Sequence, residues 1–375
     1  MKILIPWYRY PPFSASSIGG LSVSIWDLSK SLKKAGVSVE ILCPPAGKSN
    51  DVENSDELPV LRNDLGTKFV KNQKLDGKDI EFLKSYDWVF PVNNFAAKSI
   101  SCIKEKVFRQ IHTVAHDRPV WSYLSLGAGP MEYLRMLIQK RWEMSAEAEL
   151  SGTKTVCVSK YNLNKMLEHN LEVEKDLRHV PNGINTSIFR PVAKEKRFDL
   201  IFIGRFQKMK GLDILLEAIS ILWNQGLKLD LAIIGNFDER QKEFCRNLVH
   251  AECRKSLNFV GTIPHDQVPD LINLSKVLVV PSRYESFSLP TLEAQACGVP
   301  VVASSVGGIP ELVGENTGIL ANSLNPKDFA RSVEEAVTST SLQESGLKFG
   351  PEKARHYDNT YVAEEIVQLM GRVNK

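Results

Sequence analysis

The sequence lacks several features that would place it in other protein classes. Its six cysteines are dispersed along 375 residues, without a Cys-x-x-Cys pair or histidines at metal-ligand spacing, which argues against a disulfide scaffold and a zinc site. No apolar run approaches the roughly 18 residues of a membrane-spanning helix. The net charge is only +3, which is too small for an extended nucleic-acid surface but compatible with a local basic phosphate site.

The same absences predict the compartment. The chain enters the strand pattern MKILIP directly and shows no charged leader, long apolar stretch and cleavage site in succession. We therefore expect a cytoplasmic protein with buried thiols in a reducing environment. Peripheral contact with the inner face of the membrane is left as an alternative.

The two halves of the sequence repeat one order of elements. An apolar strand over residues 3–6 precedes a loop ending in Gly19-Gly20 and a helix, and FDLIFIG from Phe198 starts the same strand, loop and helix order. Later apolar runs (DWVFP, VFRQI, TVCVS, then LNFVG, VLVVP, VPVVA) alternate with helical segments. Because a parallel sheet covered on both faces requires this alternation, the pattern predicts an α/β protein with two doubly wound, Rossmann-like domains.

The domain boundary is predicted near Pro191, in a segment with two prolines, an Asn-Gly turn and a charged exit. This gives domains over residues 1–190 and 191–355, and a C-terminal helical segment over residues 356–375. Its amphipathic helix packs either on the second domain or back on the first, and periodicity does not decide between them.

Two cations flank the glycine-rich segment GRFQKMKG. Arg205 follows a predicted strand and Lys210 precedes a predicted helix, so both can reach one anionic group beyond the carboxyl end of a parallel sheet. An isolated pair of this kind is more often two solvated loop cations. The segment after strand VLVVP strengthens the hypothesis that Arg205 and Lys210 bind one anionic group.

That segment, RYESFSLPTLEAQACG, places Glu285 in a loop and Glu293 eight residues later in a helix. A carboxylate in such a position can accept hydrogen bonds from vicinal hydroxyls of a ribose or hexose, while the N–H groups of residues 287–289 face an anion. Two acids at this spacing are usually a solvated helix face. The serines, the proline and the apolar strand before them argue against that here.

Together these segments resemble glycosyltransferase family 4, whose members are retaining enzymes of the GT-B fold. The resemblance spans essentially the whole chain and is densest over residues 180–313, where VPNGINTSIFRP, FIGRFQKMKG, VPSRYESFSLPTLEAQACGVPVVAS and GGIPELV occur in order. It implies an acceptor-binding first domain and a nucleotide-sugar-binding second domain facing each other across a cleft.

The resemblance also implies residue roles. His116 matches the active-site histidine near the transferred sugar, with His112 as the weaker candidate. Arg205 and Lys210 neutralise the leaving diphosphate, and Glu285 contacts hydroxyls of the transferred sugar; with His116 they form the implied catalytic set. The implied donor-binding set is Gly19, Gly20, Gly204, Arg205, Lys210, Ile263, Glu285, Ser286, Phe287, Ser288, Leu289 and Glu293.

Within the donor-binding set, Gly20 is expected against the donor phosphates and Glu293 on the ribose. Three departures from the family pattern stand out. Asn185 occupies a position that is usually Asp, and Ser288 one where Gly is frequent. The segment IIGNFDE lacks a second glycine often found there, which concerns contacts to the donor's base.

The implied reaction moves a hexose or N-acetylhexosamine from a nucleotide-diphosphate sugar, with UDP favoured over GDP, to a glycan, lipid-linked or small-molecule acceptor. The resemblance implies no metal and no cofactor, and the sequence contains no Asp-x-Asp motif. A GT-B epimerase or phosphorylase, and a related binding subunit without turnover, remain as alternatives. A dehydrogenase or P-loop NTPase is disfavoured, because Gly-x-Gly-x-x-Gly and Gly-Lys-Ser/Thr motifs are missing.

Residues 131–142, MEYLRMLIQKRW, mix aliphatic, aromatic and basic side chains on a predicted helix. Such a helix can lie on an anionic lipid surface. We favour the alternative that its apolar face packs within the first domain.

Overall fold

The computed structural model describes residues 1–7, 20–44, 52–54, 58–92, 96–126, 128–172 and 176–372. The strands within these ranges are β1 (Lys2–Pro6), β2 (Ser38–Cys43), β3 (Val52–Asn54), β4 (Pro59–Arg62), β5 (Trp88–Val89), β6 (Phe108–Ile111), β7 (Lys154–Cys157), β8 (Leu177–His179), β9 (Phe198–Ile203), β10 (Leu231–Ile234), β11 (Leu257–Gly261), β12 (Ser275–Val280), β13 (Val301–Ser304) and β14 (Gly318–Ala321). The α-helices are α1 (Gly20–Lys34), α2 (Asp64–Val70), α3 (Gly77–Lys84), α4 (Ala97–Ile100), α5 (Pro130–Glu149), α6 (Lys160–Glu168), α7 (Leu212–Asn224), α8 (Glu239–Asn247), α9 (Val268–Asn273), α10 (Leu289–Ala296), α11 (Ile309–Leu312), α12 (Pro326–Thr338), α13 (Thr340–Arg355) and α14 (Asn359–Arg372).

The first half of the chain forms one set of strands. Its five-stranded sheet has the order β3-β4-β2-β1-β5, and parallel bridges from Val89 to Val107 and from Val92 to Gln110 connect it to the sheet β6-β7-β8. Strand β3 runs antiparallel to β4 at the outer edge, while the other paired strands are parallel.

The second half forms a six-stranded parallel sheet with the order β11-β10-β9-β12-β13-β14. The order reverses between β9 and β12, the first and fourth strands of this half. Open parallel sheets bind ligands beyond the carboxyl ends of the strands at such a reversal. The fold therefore places the loops after β9 and β12, which carry the predicted cations and acids, at one location.

Helix α7 shows how the sequence builds this location. Leu215, Leu216 and Ile219 recur at helical spacing and are buried against the sheet. Gly211 precedes the helix with φ +68°, and a Cβ there would lie 1.8 Å from the carbonyl oxygen of Pro281. Only glycine fits this close approach, which fixes the start of α7 against the end of β12.

The last helix, α14, crosses back to the first half. Val362, Ile366 and Met370 are buried in the same hydrophobic core as Ile25 and Leu28 of α1. The structure therefore shows α14 packed on the first half of the chain and not on the second. The predicted boundary at Pro191 stays a prediction.

Helix α5 differs from its predicted environment. Its C-terminal turns are buried at Ala146 and Glu147, but Met131 and Ile138 in its first three turns are 67% and 66% exposed. The prediction that its apolar face packs within the first domain is therefore wrong for these turns, because no described element covers them. No helix of the described ranges combines the length and apolar character needed to cross a bilayer.

The cysteines follow their prediction with one exception. Five are buried and Cys102 is exposed, because it lies in a short surface 3-10 helix over Ser101–Lys106. Burial raises the pKa of the Cys157 thiol to about 12, so this cysteine stays a protonated core side chain at neutral pH.

Candidate active site

The loops after β9 and β12 meet through an ion pair. Lys210 ends a 3-10 turn over Lys208–Lys210, and its Nζ donates to Oε2 of Glu285 at 2.6 Å. Arg205 is exposed in the same loop, directly after Gly204. Two residues that the sequence analysis assigned to different ligand groups, Lys210 and Glu285, therefore lie in direct contact.

The glycines of GGIPELV support the Glu285 loop from behind. Gly307 has φ +57°, and a Cβ there would lie 1.6 Å from the carbonyl oxygen of Glu285. The N–H of Gly308 donates to that oxygen at 3.3 Å. The motif GGIPELV therefore contacts Glu285 through the backbone of its two glycines and not through a charged side chain.

The start of α10 follows directly. Ser286, Phe287 and Ser288 are buried, and Leu289 is the first helical residue, so the N–H groups of residues 287–289 lie at a helix N-terminus. Ser288 has φ +82°, and its Oγ lies 2.8 Å from Oγ1 of Thr291. Glycine adopts this backbone conformation without strain, which gives a physical reason for the residue that is frequent in the family at this position.

Glu293 lies on α10 and is 4% exposed. Its Oε1 lies 2.7 Å from Nε2 of His265, a residue that the sequence analysis did not select. Burial disfavours the charged imidazole, but the attraction and hydrogen bond of Glu293, with contributions from Asp27 and Asp266, outweigh it and raise the pKa of His265. His265 is thus a polar partner for the carboxylate predicted to hold the ribose.

The remaining donor-set residues are Ile263, Gly20 and Gly19. Ile263 follows β11 and packs, partly buried, against the core of the second half. Gly20 is the first residue of α1, after the first strand of the other half. Gly19 lies outside the described residues.

His116 is held by a buried acid that was also not predicted. Its Nδ1 lies 2.7 Å from Oε2 of Glu147, which also accepts the backbone N–H of His116 at 3.1 Å, while Oε1 accepts that of Ala115 at 3.0 Å. The neighbouring acid Asp117 does not bind the His116 ring and instead accepts from the hydroxyl of Tyr161 at 2.5 Å. No sequence pattern signals Glu147 as the partner of His116, because the two residues are 31 positions apart.

A second buried pair lies behind Glu147. Arg109 donates from Nη2 to Oε1 of Glu172 at 2.6 Å and from Nη1 to the carbonyl oxygen of Glu147 at 3.3 Å. The side chains of Arg109 and Glu172 are both 0% exposed. The loop carrying His116 therefore rests on a hydrogen-bonded network without solvent access.

His112 has a different environment. It is buried, and burial lowers its pKa to about 3, so the imidazole is neutral at physiological pH. His116 is more accessible, with 22% of its side chain exposed. Accessibility favours His116 as the residue that can reach a substrate.

Segments of the first half contact both loops of the second. Ser286 Oγ lies 3.5 Å from Oγ1 of Thr113, and Arg118 Nη2 lies 3.6 Å from the sulfur of Met209. Glu311 of α11 accepts the backbone N–H groups at the start of α6 at 2.9 and 3.0 Å. The loop that carries His116 is thus adjacent to the Lys210 and Glu285 loops.

Two of the sequence departures have local explanations. Asn185 Oδ1 accepts the backbone N–H of Ser187 at 3.1 Å and its hydroxyl at 2.6 Å, a turn-capping role that either Asn or Asp can fill. In IIGNFDE, Asp238 is the N-cap of α8 and forms a capping box with Gln241. That segment therefore initiates a helix.

Among the residues described, no group of three or more His, Cys, Asp or Glu side chains is placed to hold a metal ion. Independence from metal nevertheless stays a prediction.

Comparisons with known proteins show which family the chain resembles. The family model of Glycosyltransferase Family 4 matches residues 18–188, and that of Glycosyl transferases group 1 matches residues 184–352. An uncharacterized glycosyltransferase of Methanocaldococcus jannaschii is 26% identical, covering 95% of this chain and 94% of the relative. The D-inositol 3-phosphate glycosyltransferase of Pseudarthrobacter chlorophenolicus is 27% identical, covering 84% of this chain and 81% of the relative.

Solved structures share the fold over the whole chain. The sucrose-phosphate synthase of Thermosynechococcus elongatus superposes with a TM-score of 0.77 at 18% identity, covering 100% of this chain and 99% of that one. Anabaena HepE, solved in complex with UDP, gives a TM-score of 0.71 at 16% identity, covering 99% and 100%. At these identities the likeness concerns the fold alone.

Two doubly wound halves that contact each other through loops following their strands are characteristic of the GT-B fold, which the solved neighbours share. The chain belongs to glycosyltransferase family 4 and is a glycosyltransferase.

Proposed function

We propose that the protein is a retaining, metal-independent glycosyltransferase. In this proposal it moves a hexose or N-acetylhexosamine from a nucleotide-diphosphate sugar, preferably a UDP-sugar, to a hydroxyl of a glycan, lipid-linked or small-molecule acceptor. The observation that carries the proposal is the meeting of Lys210 and Glu285 at 2.6 Å beside the first-half loop that bears His116.

The diphosphate fits the positive side of this arrangement. Lys210 has three N–H donors, of which one points to Glu285, and Arg205 is exposed in the same loop. The N-terminus of α10 adds backbone N–H groups and the positive end of a helix dipole. Together these groups stabilise charge that develops on the diphosphate as it leaves, without reorganising at the moment of reaction.

The ribose and the transferred sugar fit the acidic side. Glu293 is oriented by His265 at 2.7 Å and accepts hydrogen bonds from ribose hydroxyls, while Glu285 accepts from hydroxyls of the transferred sugar. His116 contacts that sugar from the opposite half. Since Glu147 binds its Nδ1, the ring nitrogen that remains for the sugar is Nε2.

Retention is explained by attack on the face from which the diphosphate departs. The acceptor oxygen forms a bond to the anomeric carbon while the bond from that carbon to the phosphate oxygen breaks. The acceptor's proton passes to the departing phosphate oxygen, so the step balances without an enzyme base. The enzyme's contribution is positioning and electrostatic stabilisation.

Similar proteins support the choice of donor. Anabaena HepE is described in complexes with UDP and with UDP-glucose, and a plant starch synthase in complex with ADP. Relatives named D-inositol 3-phosphate glycosyltransferase favour a hydroxyl acceptor of polyol type. We keep UDP as the preferred nucleotide and the acceptor as a hydroxyl compound of the three classes above.

Calorimetric titration with UDP, GDP and ADP in the presence of a chelator tests the donor site. We expect UDP to bind most tightly and Lys210→Ala to weaken that binding. If none of the three nucleotides binds, the donor site is wrongly assigned. Product analysis with a UDP-sugar then separates transfer from the alternatives, because an epimerase returns an isomeric sugar nucleotide, a phosphorylase requires inorganic phosphate, and a binding subunit gives no product.

A further inference from the structure

The first three turns of α5 present an unusually apolar surface. Six large hydrophobic side chains of this helix are exposed: Met131, Tyr133, Leu134, Leu137, Ile138 and Trp142. Scattered exposed hydrophobic residues are normal, but a contiguous apolar patch marks an interaction surface.

These side chains are arranged by the helix. At about 100° per residue, positions 131, 134, 138 and 142 fall within a narrow sector of the α5 surface, and position 137 borders it. The sector therefore forms one continuous apolar stripe over about three turns, which we call the α5 stripe.

Charge is distributed asymmetrically around the α5 stripe. By the same geometry Arg135 and Arg141 lie on its two flanks, and both are exposed. The acids of these turns lie about a third of a turn away, where Glu132 accepts the backbone N–H of Ser125 at 2.8 Å and Glu143 accepts from Gln139. An arginine on each side of an apolar stripe can extend its guanidinium toward phosphate groups while its alkyl chain stays with the apolar residues.

We propose that the α5 stripe docks the protein on an anionic lipid surface, with the helix axis in the plane of the membrane. The apolar side chains enter the boundary between headgroups and acyl chains, and the flanking arginines pair with lipid phosphates. A second copy is the less suitable occupant, because a two-fold pairing of stripes places the arginine flanks of both copies close together. The proposal depends on the surface of α5 and is independent of the transfer reaction.

The position of α5 connects this surface to the site. Lys140 Nζ donates to the carbonyl oxygen of His116 at 3.4 Å, and Glu147 of the same helix holds the His116 ring. Positions 140 and 147 lie on the face of α5 opposite the stripe, so docking through the stripe places the loop that carries His116 about one helix diameter, roughly 10 Å, from the lipid surface.

Vesicle sedimentation with the full chain tests the proposal. We expect binding to vesicles of phosphatidylcholine mixed with phosphatidylglycerol, and much less binding to vesicles of phosphatidylcholine alone. The double variant Ile138→Ser/Trp142→Ser should lower the partition coefficient at least about tenfold, since each buried large apolar side chain contributes a comparable factor. Arg135→Gln/Arg141→Gln should lower it on the anionic vesicles by about fivefold for each arginine.

Tyr361→Ser, which changes another strongly exposed aromatic residue on α14, is the matched control and should bind like the parent protein. Circular dichroism checks that each variant is folded, which we expect because the substituted side chains are exposed. The proposal is overturned if the parent does not sediment with anionic vesicles, or if the control loses as much binding as the stripe variant. It is also overturned if sedimentation velocity shows a dimer that Ile138→Ser/Trp142→Ser abolishes, since the stripe then contacts a second copy.

Discussion

The two sides of the site hold their charged groups in different ways. On the first-half side, the side chains of Arg109, Glu172 and Glu147 are all 0% exposed. On the second-half side, Lys210 and Glu285 form a pair with side chains 20% and 13% exposed. A buried network has one arrangement, because every broken contact leaves a desolvated polar group. Partly exposed pairs can exchange partners with water or a ligand at lower cost.

This difference divides the work of the site. The first half presents His116 in a fixed orientation before any substrate binds, which is preorganisation. In the proposed function, the second half supplies groups that are paired with each other and can change partners when a diphosphate or a sugar hydroxyl binds. We expect substitutions on the second-half side to alter nucleotide binding and those on the first-half side to alter turnover alone.

The largest effect is expected for Lys210→Ala. The change removes a cation from the proposed diphosphate site and leaves the carboxylate of Glu285 without this partner, so kcat/KM should fall by about 10² to 10³-fold and nucleotide affinity should weaken as well. Steady-state kinetics with calorimetry checks both. Lys208→Ala, in the same turn but exposed, is the control; equal kcat/KM in both variants and the parent would show that the pair is structural.

The second-largest effect is a loss of turnover that leaves nucleotide binding unchanged. His116→Ala should lower kcat about 10²-fold and leave the Kd for UDP nearly unchanged, because in the proposed function the ring contacts the sugar as the glycosidic bond breaks. Glu147→Gln should cause a smaller loss of the same kind, since it disturbs only the orientation of the ring. Glu143→Gln, one turn earlier on α5, should change neither quantity. Parallel losses in Kd and kcat/KM for His116→Ala would instead mark His116 as structural and favour His112.

A pH-dependent effect is expected for His265→Asn. Because Glu293 raises the pKa of His265 above its ordinary 6.5, the pair stabilises the folded protein fully below that value and less as pH rises through the raised pKa. In guanidinium unfolding at acid pH, the free energy of unfolding of the variant should be about 2 kcal/mol lower than that of the parent. This difference should become smaller at alkaline pH. The exposed His250→Asn serves as control, and a gap that widens with pH would contradict the assignment.

The smallest effect is expected for Ser288→Gly. Glycine relieves the strain of φ +82° but loses the contact with Thr291 and adds freedom to the unfolded chain, so stability should change by no more than about 1 kcal/mol. Ser288→Val should be clearly less stable, because a β-branched residue fits this backbone poorly. Thermal unfolding of both variants tests this order of stability. A Val variant more stable than the Gly variant would contradict the prediction.

The sequence predicted the fold class because its signals are local. Strands such as β9 and β12 are short apolar runs bounded by turns, and the repeated strand, loop and helix order implies a doubly wound sheet. Strands β4, β8 and β14 were not predicted, since PVLR, LRH and GILA are too short for a clear period. The sequence identified the apolar face of α5, but the preferred prediction that this face is buried was wrong, because periodicity does not identify what covers an apolar face.

In the candidate site, sequence selected residues that belong to motifs and missed those that support them. Lys210, Glu285 and Glu293 stand in recognisable spacing, and the structure brings the first two into contact. Glu147 and His265 act on the predicted residues across 31 and 28 positions. Such contacts arise from tertiary packing, and a single sequence carries no local signal for them.

Helix α14 follows the second half in the sequence but packs on the first half in the structure. The core around Ile25 and Leu28 contains Ile366 and Met370, so during synthesis it is completed only after the residues up to Met370 have left the ribosome. The halves are for the same reason not exchangeable modules. A chimaera joined near residue 191 must take its last helix from the parent that supplied its first half. Otherwise part of the hydrophobic core of that half is left exposed or poorly packed.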